Sequence, residues 1–127
     1  MQFMKKRRKK SPRAKLKKYC DALWPKVTKK VWFEKYGHGC AWCKKQNVIY
    51  HSDHIESRSK FATRWCVDNC VVLCSVCHLY RKKSDPTGWY KMVESYLGAD
   101  TMAALKLQSN RVEKVDMDQV KEYLELI

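Results

Sequence analysis

Two Cys-x-x-Cys pairs constrain this chain more than any other feature of its sequence. They are Cys40 with Cys43 and Cys74 with Cys77, and they enclose residues 44–73. Each two-residue spacer lets both sulfurs of a tight turn face one ion, so two such pairs can bind one tetrahedral Zn²⁺ through four thiolates. The sequence therefore predicts a structural zinc site that closes the intervening loop.

Basic residues dominate the charge of the chain. Lys and Arg number 27 against 13 acids among the 127 residues, which gives a net charge of +14. Ten of these cations fall within residues 1–18, where there is no acid. We expect residues 1–18 to form a disordered arm that neutralises nucleic-acid phosphates, with a solvated charge run or a nuclear-import signal as alternatives. Residues 19–127 have the length of one domain.

Composition also indicates the cellular compartment in which we expect the protein. No apolar region follows the charged start, and no apolar run reaches the roughly 18 residues of a membrane span. The seven cysteines are an odd number, and paired Cys-x-x-Cys units in a reducing compartment are typical of metal sites rather than of disulfides. We therefore expect a cytoplasmic protein without a membrane partner.

Periodicity and turn residues predict an α+β fold. Helices are expected at residues 16–27 (which Pro25 ends or kinks), 28–36 (capped by Thr28), 75–83 (capped by Ser75), 89–97 and 116–127 (capped by Asp116), with a weaker helix at 102–107. Strands are expected at residues 47–55 and 71–73, separated by a polar loop at 57–63. Between and after the cysteine pairs, the predicted order is strand, loop, strand, helix.

The residues inside the cysteine pairs carry a resemblance. The order Cys-x-x-Cys, Asp53-His54, Asn69, Cys-x-x-Cys-His78 resembles the motif of the HNH endonuclease superfamily, over about residues 40–83. The resemblance implies a ββα-metal core with flanking helices, here closed by the four-cysteine zinc site. It also implies hydrolysis of DNA phosphodiester bonds with a histidine general base and one divalent metal ion.

The chemistry of that reaction suggests a role for each motif residue. His54 is the predicted general base, because imidazole with a pKa of ~6.5 is mostly neutral in cells and accepts a proton readily. Asp53 and His78 are the predicted ligands of the catalytic ion, which would be Mg²⁺ or Mn²⁺, with Zn²⁺ and Ni²⁺ as alternatives. Asn69 would orient His54 or its loop, or else ligate the metal.

Several neighbouring residues leave alternatives open. His78 directly follows a cysteine of the second pair and could instead be a zinc ligand, while His51 is a rival for the catalytic ion. Arg58 and Arg64 could each bind a phosphate through two hydrogen bonds, or could be solvated surface residues. Cys66 and Cys70 are expected to be free thiols near the zinc or in the core, with replacement of a zinc ligand as the alternative. The indoles of Trp42 and Trp65 could stack on bases or belong to the core.

A wider set of residues is similar to the phage recombination endonucleases of the NinG/Rap type. The similar segments are Leu23-Trp24, Ser57-Arg58, Thr63-Arg64-Trp65 and the helix at 90–97 with Gly98. That group tends to have glycine before the histidine and asparagine after the final cysteine, where this chain has Asp53 and His78. The sequence therefore favours a general HNH nuclease acting on DNA. A phage-encoded nuclease for branched DNA and a non-catalytic, zinc-stabilised DNA-binding module are the alternatives.

Overall fold

Helices surround one small sheet in this protein, whose computed structural model describes residues 11–127. The elements are α1 (Pro12–Tyr36), β1 (Tyr50–His54), α2 (Phe61–Arg64), β2 (Cys70–Cys74), a π-helical turn (Cys77–Arg81), α3 (Lys82–Ser84), α4 (Pro86–Leu97), α5 (Ala99–Ser109) and α6 (Met117–Leu126). The two strands form an antiparallel pair. The predicted α+β class is confirmed.

Helix α1 runs through Pro25 without a break, so the prediction of two helices separated there is wrong. A proline inside a helix costs roughly 3 kcal/mol or more. Packing offsets that cost, because α1 buries Trp24 and Trp32 in the core on either side of the proline. Thr28, the predicted cap of the second helix, lies inside α1, where its hydroxyl donates to the Trp24 carbonyl (2.7 Å).

The same helix begins inside the predicted basic arm. The Ser11 hydroxyl accepts a hydrogen bond from the backbone N–H of Ala14 (3.2 Å), and a proline follows in the first turn, both of which favour a helix start. The Arg13 guanidinium donates to the Val115 carbonyl (2.8 Å), which ties this end of α1 to the C-terminal segment. The predicted disorder is therefore wrong for residues 12–18, while residues 1–10 of the arm lie outside the described residues.

Different helical segments cover the two faces of the sheet. Its register pairs Tyr50 with Cys74 and His54 with Cys70, and every residue of β2 is buried. Side chains alternate along a strand, so Asp53 faces away from its neighbours Ser52 and His54. Helix α1 covers the Ser52 and His54 face, and the helical segment after β2 covers the Asp53 face. β1 is shorter than the strand predicted at residues 47–55. The loop predicted at residues 57–63 includes the start of α2.

The helical segment after β2 contains a π-helical turn. It was predicted as an ordinary helix, but the Lys82 backbone N–H donates to the carbonyl of Cys77, five residues earlier. The wider turn places His78 and Lys82 together against Asp53. Such turns occur frequently at functional sites.

The C-terminal helices match the sequence prediction closely. Asp85 accepts a hydrogen bond from the Gly88 N–H (2.9 Å), which starts α4 at Pro86, earlier than expected. The weakly predicted helix is confirmed as α5. Asp116 caps α6 as predicted, accepting hydrogen bonds from two backbone N–H groups of its first turn. None of the helices described in residues 11–127 has the length and apolar character of a membrane span.

The connection between α4 and α5 depends on a glycine conformation. Gly98 has φ 83° and ψ 155°, a region that residues with a side chain rarely adopt. A Cβ at this position would meet no atom within 4 Å, so the cost of a substitution would come from the backbone alone. We expect Gly98→Ala to lower the free energy of unfolding by about 1–3 kcal/mol in urea denaturation. The exposed Ala103→Ser should change it by less than about 0.5 kcal/mol, and equal values for both variants would contradict this conformation.

Candidate metal centre and active-site cleft

The four cysteines of the two pairs converge on one point. The sulfurs of Cys40, Cys43, Cys74 and Cys77 all lie within 4.8 Å of one another, and three of the four residues are buried. This is the arrangement that four thiolates need to bind one metal ion, and it is compatible with a structural zinc. In residues 11–127 no other group of three or more His, Cys, Asp or Glu side chains brings its ligand atoms this close together. The predicted ligand set is therefore complete without His78, Cys66 or Cys70.

Backbone N–H groups support the sulfurs of both pairs. The Cys43 N–H donates to the Cys40 sulfur (3.5 Å), and the Cys77 N–H donates to the Cys74 sulfur (3.4 Å). Burial opposes ionisation of Cys40, but hydrogen bonds from the backbone of Cys74, Cys43 and Trp42 outweigh it and lower the pKa of Cys40 to about 7. Burial and the adjacent sulfurs raise the pKa of Cys77 to about 12. A bound cation would offset these effects and favour ionisation of Cys77, because it stabilises all four thiolates together.

Zinc content provides a direct measurement of this cluster. We expect the purified protein to retain about one zinc ion per chain after dialysis, measured by elemental analysis. Cys74→Ser should lose most of the zinc and unfold at a lower temperature, since one of four ligands is removed. Cys66→Ser is the matched control, because Cys66 lies outside the cluster. Retention of zinc by Cys74→Ser would contradict the assignment.

A cavity of about 660 Å³ opens at the end of β1 that carries the motif residues. His54 and Asp53 line it from the strand, although adjacent strand residues point in opposite directions. His78 and Lys82 line it from the segment after β2, and Arg58 lines it from the loop that follows β1. The cavity thus brings together the predicted base, the predicted metal ligands and both predicted phosphate contacts, Arg58 and Arg64.

His54 is held in one tautomer and one plane. Its Nε2 lies 2.9 Å from the backbone carbonyl of Arg64, which can only accept, so Nε2 carries the proton in the neutral ring. The indole of Trp24 stacks on the imidazole with ring centroids 3.9 Å apart and planes inclined by 7°. Burial lowers the pKa of His54 below its usual value, although the hydrogen bond to the carbonyl opposes the shift. Nδ1 is therefore the nitrogen that can accept a proton.

Asp53 is a buried and ionised carboxylate. Both of its oxygens accept hydrogen bonds from the Lys82 ammonium at 2.9 Å, and the Trp89 indole N–H donates to Oδ2 (3.0 Å). Burial would raise the pKa of Asp53, but the His78 hydrogen bond and the Lys82 charge outweigh it, so the pKa lies below its usual value. The cleft therefore contains a fixed negative charge that is already paired with a cation.

His78 lies between Asp53 and His51. Its Nε2 is 3.4 Å from Asp53 Oδ1, and its Nδ1 is 2.9 Å from His51 Nδ1. Asp53 and His78 therefore converge as predicted, and His51 contacts the second nitrogen of His78 rather than Asp53. An oxygen and a nitrogen donor suit Mg²⁺, Mn²⁺ or a catalytic transition metal, and an ion held by so few protein ligands takes the rest from water and phosphate.

Asn69 fastens the loop that follows β1. It is completely buried; its Oδ1 accepts from the Glu56 N–H (2.7 Å), and its Nδ2 donates to the carbonyls of Glu56 (3.1 Å) and Thr63 (3.0 Å). Of the roles that the sequence left open, these contacts match orientation of the loop backbone. The amide makes no hydrogen bond to His54.

The two arginines of the loop differ from each other. The Arg58 side chain is 64% exposed, and its Nη2 pairs with Asp21 Oδ2 at 3.5 Å, an exposed ion pair weak enough for a phosphate to replace. The Arg64 side chain is 9% exposed, and its Nε and Nη2 donate to the two oxygens of Asp21 at 3.0 and 2.6 Å. Because those donors are already in use, the geometry does not support the predicted phosphate contact of Arg64. Trp65 is also buried, which argues against base stacking.

Sequence reasoning missed four residues that line this cleft. Trp24, Lys82 and Trp89 contact His54 or Asp53, and Asp21 contacts Arg64, whose carbonyl accepts from His54. A weak signal existed for three of them, and Trp24 is one, because Leu23-Trp24 is among the segments similar to the phage recombination endonucleases. Asp21 is the sole acid in the first 33 residues, and Lys82 follows His78 by four positions in a predicted helix.

Comparison of the chain with known proteins found no matching family model, no similar curated protein and no similar solved structure. The resemblance to HNH endonucleases therefore rests on the motif residues of the sequence.

Proposed function

We propose that this protein is a metal-dependent HNH-type endonuclease that hydrolyses DNA phosphodiester bonds. The observation that carries the proposal is the state of His54. A carbonyl fixes its proton on Nε2, a stacked indole fixes its plane, and its Nδ1 remains available in a cleft that also contains Asp53 and His78. A neutral, oriented imidazole beside a cation site is what hydrolysis of a phosphodiester requires.

The surrounding elements support the same proposal. β1, the loop, β2 and the π-helical turn with α3 follow one another in the order expected of a ββα-metal core. The four-cysteine cluster joins the segment before β1 to the end of β2. The net charge of +14 favours a polyanionic substrate.

Each residue of the cleft has a chemical task in this proposal. His54 Nδ1 accepts a proton from the water that attacks phosphorus. Asp53 and His78 would hold the divalent ion, with Mg²⁺ or Mn²⁺ the first choice and Zn²⁺ or Ni²⁺ the alternatives. Such an ion, when bound, supplies positive charge to the phosphate and to the leaving 3′ oxygen. Arg58 lies where its guanidinium can bind a neighbouring phosphate.

Plasmid nicking tests the activity. We expect the protein to nick supercoiled plasmid with Mg²⁺ or Mn²⁺ and to stop when EDTA is added. His54→Ala should lower the rate roughly 100-fold or more, because the general base is lost. DNA binding by that variant, measured by fluorescence anisotropy, should be unchanged.

His38→Ala is the matched control for that variant, since His38 is exposed, stacks on Phe33 and does not line the cleft. It should nick plasmid at the wild-type rate. Intact plasmid with every divalent metal, together with retained DNA binding, would instead favour the non-catalytic DNA-binding module. A four-way junction and a linear duplex of the same sequence, compared in the same assay, separate a branched-DNA nuclease from a general one.

Metal binding at Asp53 can be measured without any cleavage. Titration of Mn²⁺ followed by electron paramagnetic resonance reports the free ion, and we expect Asp53→Asn to weaken binding about tenfold or more, because the charged ligand is lost. Asp68→Asn is the control, since Asp68 is exposed and lies outside the cleft. Equal Mn²⁺ affinity of the two variants would contradict the ligand assignment.

A further inference from the structure

Asp21 is the centre of a hydrogen-bonded network on one side of the cleft. Its Oδ1 accepts from Arg64 Nε (3.0 Å) and from the Trp65 indole N–H (2.9 Å), and its Oδ2 accepts from Arg64 Nη2 (2.6 Å). The bidentate contact fixes both the position and the plane of the guanidinium. A helix residue thus holds two consecutive side chains at the end of α2.

The residue that Asp21 holds is also the residue that orients the proposed base. The backbone carbonyl of Arg64 accepts the hydrogen bond from His54 Nε2 (2.9 Å). Arg64 Nη1 donates to the carbonyl of Arg58 (3.3 Å), which closes the loop on itself. With its side chain fixed at three donors, Arg64 has little freedom to turn its carbonyl away from the imidazole.

Trp24 lies one turn after Asp21 on α1 and contacts both the imidazole and the same segment. Its ring stacks on His54, and its indole N–H donates to the carbonyl of Cys66 (3.0 Å). Adjacent turns of one rigid helix therefore hold residues 64–66 and the plane of the imidazole relative to each other. Packing of the core does not by itself require this arrangement. Ring stacking fixes the plane of the imidazole, but it does not determine which imidazole nitrogen faces a carbonyl.

We propose that Asp21 and Trp24 are positioning residues that keep His54 in the orientation and tautomer in which Nδ1 faces the cleft as a base. Trp24 sets the plane of the ring, and Asp21 acts through Arg64 to hold the carbonyl that selects the protonated nitrogen. The proposal rests on the assignment of His54 as the general base. It concerns how that base is held, which the HNH motif itself does not specify.

The test uses full-length Asp21→Asn, which retains the size of the side chain but loses its charge. Glu34→Gln is the matched control, because Glu34 is an exposed acid on the same helix. Zinc content and thermal unfolding establish that each variant is folded. Long-range ¹⁵N–¹H correlation spectra then report which His54 nitrogen carries the proton, and steady-state nicking separates kcat from KM.

We expect the wild type and Glu34→Gln to show the Nε2–H tautomer, and Asp21→Asn to show a mixture. In Asp21→Asn kcat should fall roughly 10- to 100-fold, since a displaced base impairs the chemical step. KM should not rise, because Arg58, which also pairs with Asp21 (3.5 Å), would be released to bind DNA phosphates. Asp21→Glu, which restores the charge, should recover part of the loss. An unchanged tautomer in a folded Asp21→Asn protein would overturn the proposal, whatever its kcat.

Two further measurements keep the test decisive. If Asp21→Asn does not fold, Arg64→Lys retains the positive charge and the backbone carbonyl but loses the bidentate contact, so it should give the same mixture of tautomers. A single Nε2–H tautomer in that variant would overturn the proposal. If the wild type nicks no DNA, the nuclease assignment fails, while the spectra still show whether Asp21 controls the His54 tautomer.

Discussion

The convergence of four cysteine sulfurs is the constraint on which the rest of the structure depends. Residues 40–43 and 74–77 are far apart in the chain, and holding them together closes the loop that contains both strands. Cys74 is also the last residue of β2, where it pairs with Tyr50 at the start of β1. The cluster therefore fixes the register of the sheet at one end and the start of the π-helical turn that carries His78. A metal bound there would contribute to folding directly, because the unfolded chain does not assemble such a site.

The cleft at the other end of the sheet is organised by two carboxylates with separate tasks. Asp53 is paired with Lys82 and lies beside His78, whereas Asp21 is paired with Arg64 and orients the loop. Leaving either carboxylate in this cleft without a partner would cost free energy of folding, because its charge would be uncompensated. Each carboxylate therefore needs the cation with which it is paired. His54 lies between the two pairs without an ion pair of its own. Burial and the positive charges of Arg58 and Arg64 lower its pKa against the opposing hydrogen bond to the Arg64 carbonyl and the charge of Asp53, which favours the neutral imidazole.

Local sequence signals predicted one part of this structure and missed another for a physical reason. The cysteine pairs, the Asp116 cap and the apolar run at 71–73 depend on residues close in sequence, and each is found where it was expected. The continuous α1 and the Asp21–Arg64 pair depend on contacts between distant segments. Burial on both sides of Pro25 outweighs its helix-breaking tendency, and a pair 43 positions apart leaves no periodicity to detect. Arg64 was for that reason predicted to bind phosphate, although its guanidinium is held by Asp21.

Lys82 determines how Asp53 can serve a metal ion in the proposed nuclease. The carboxylate is 4% exposed, and both of its oxygens accept from the Lys82 ammonium, so its charge is compensated within the protein itself. An incoming ion must share or displace that contact. The Lys82 ammonium also lies 4.4 Å from the centroid of the Trp89 ring, a cation–π contact that can keep it in the cleft. Before the ion binds, Lys82 would keep Asp53 ionised and oriented. After the ion binds, Lys82 would add positive charge where a phosphate binds.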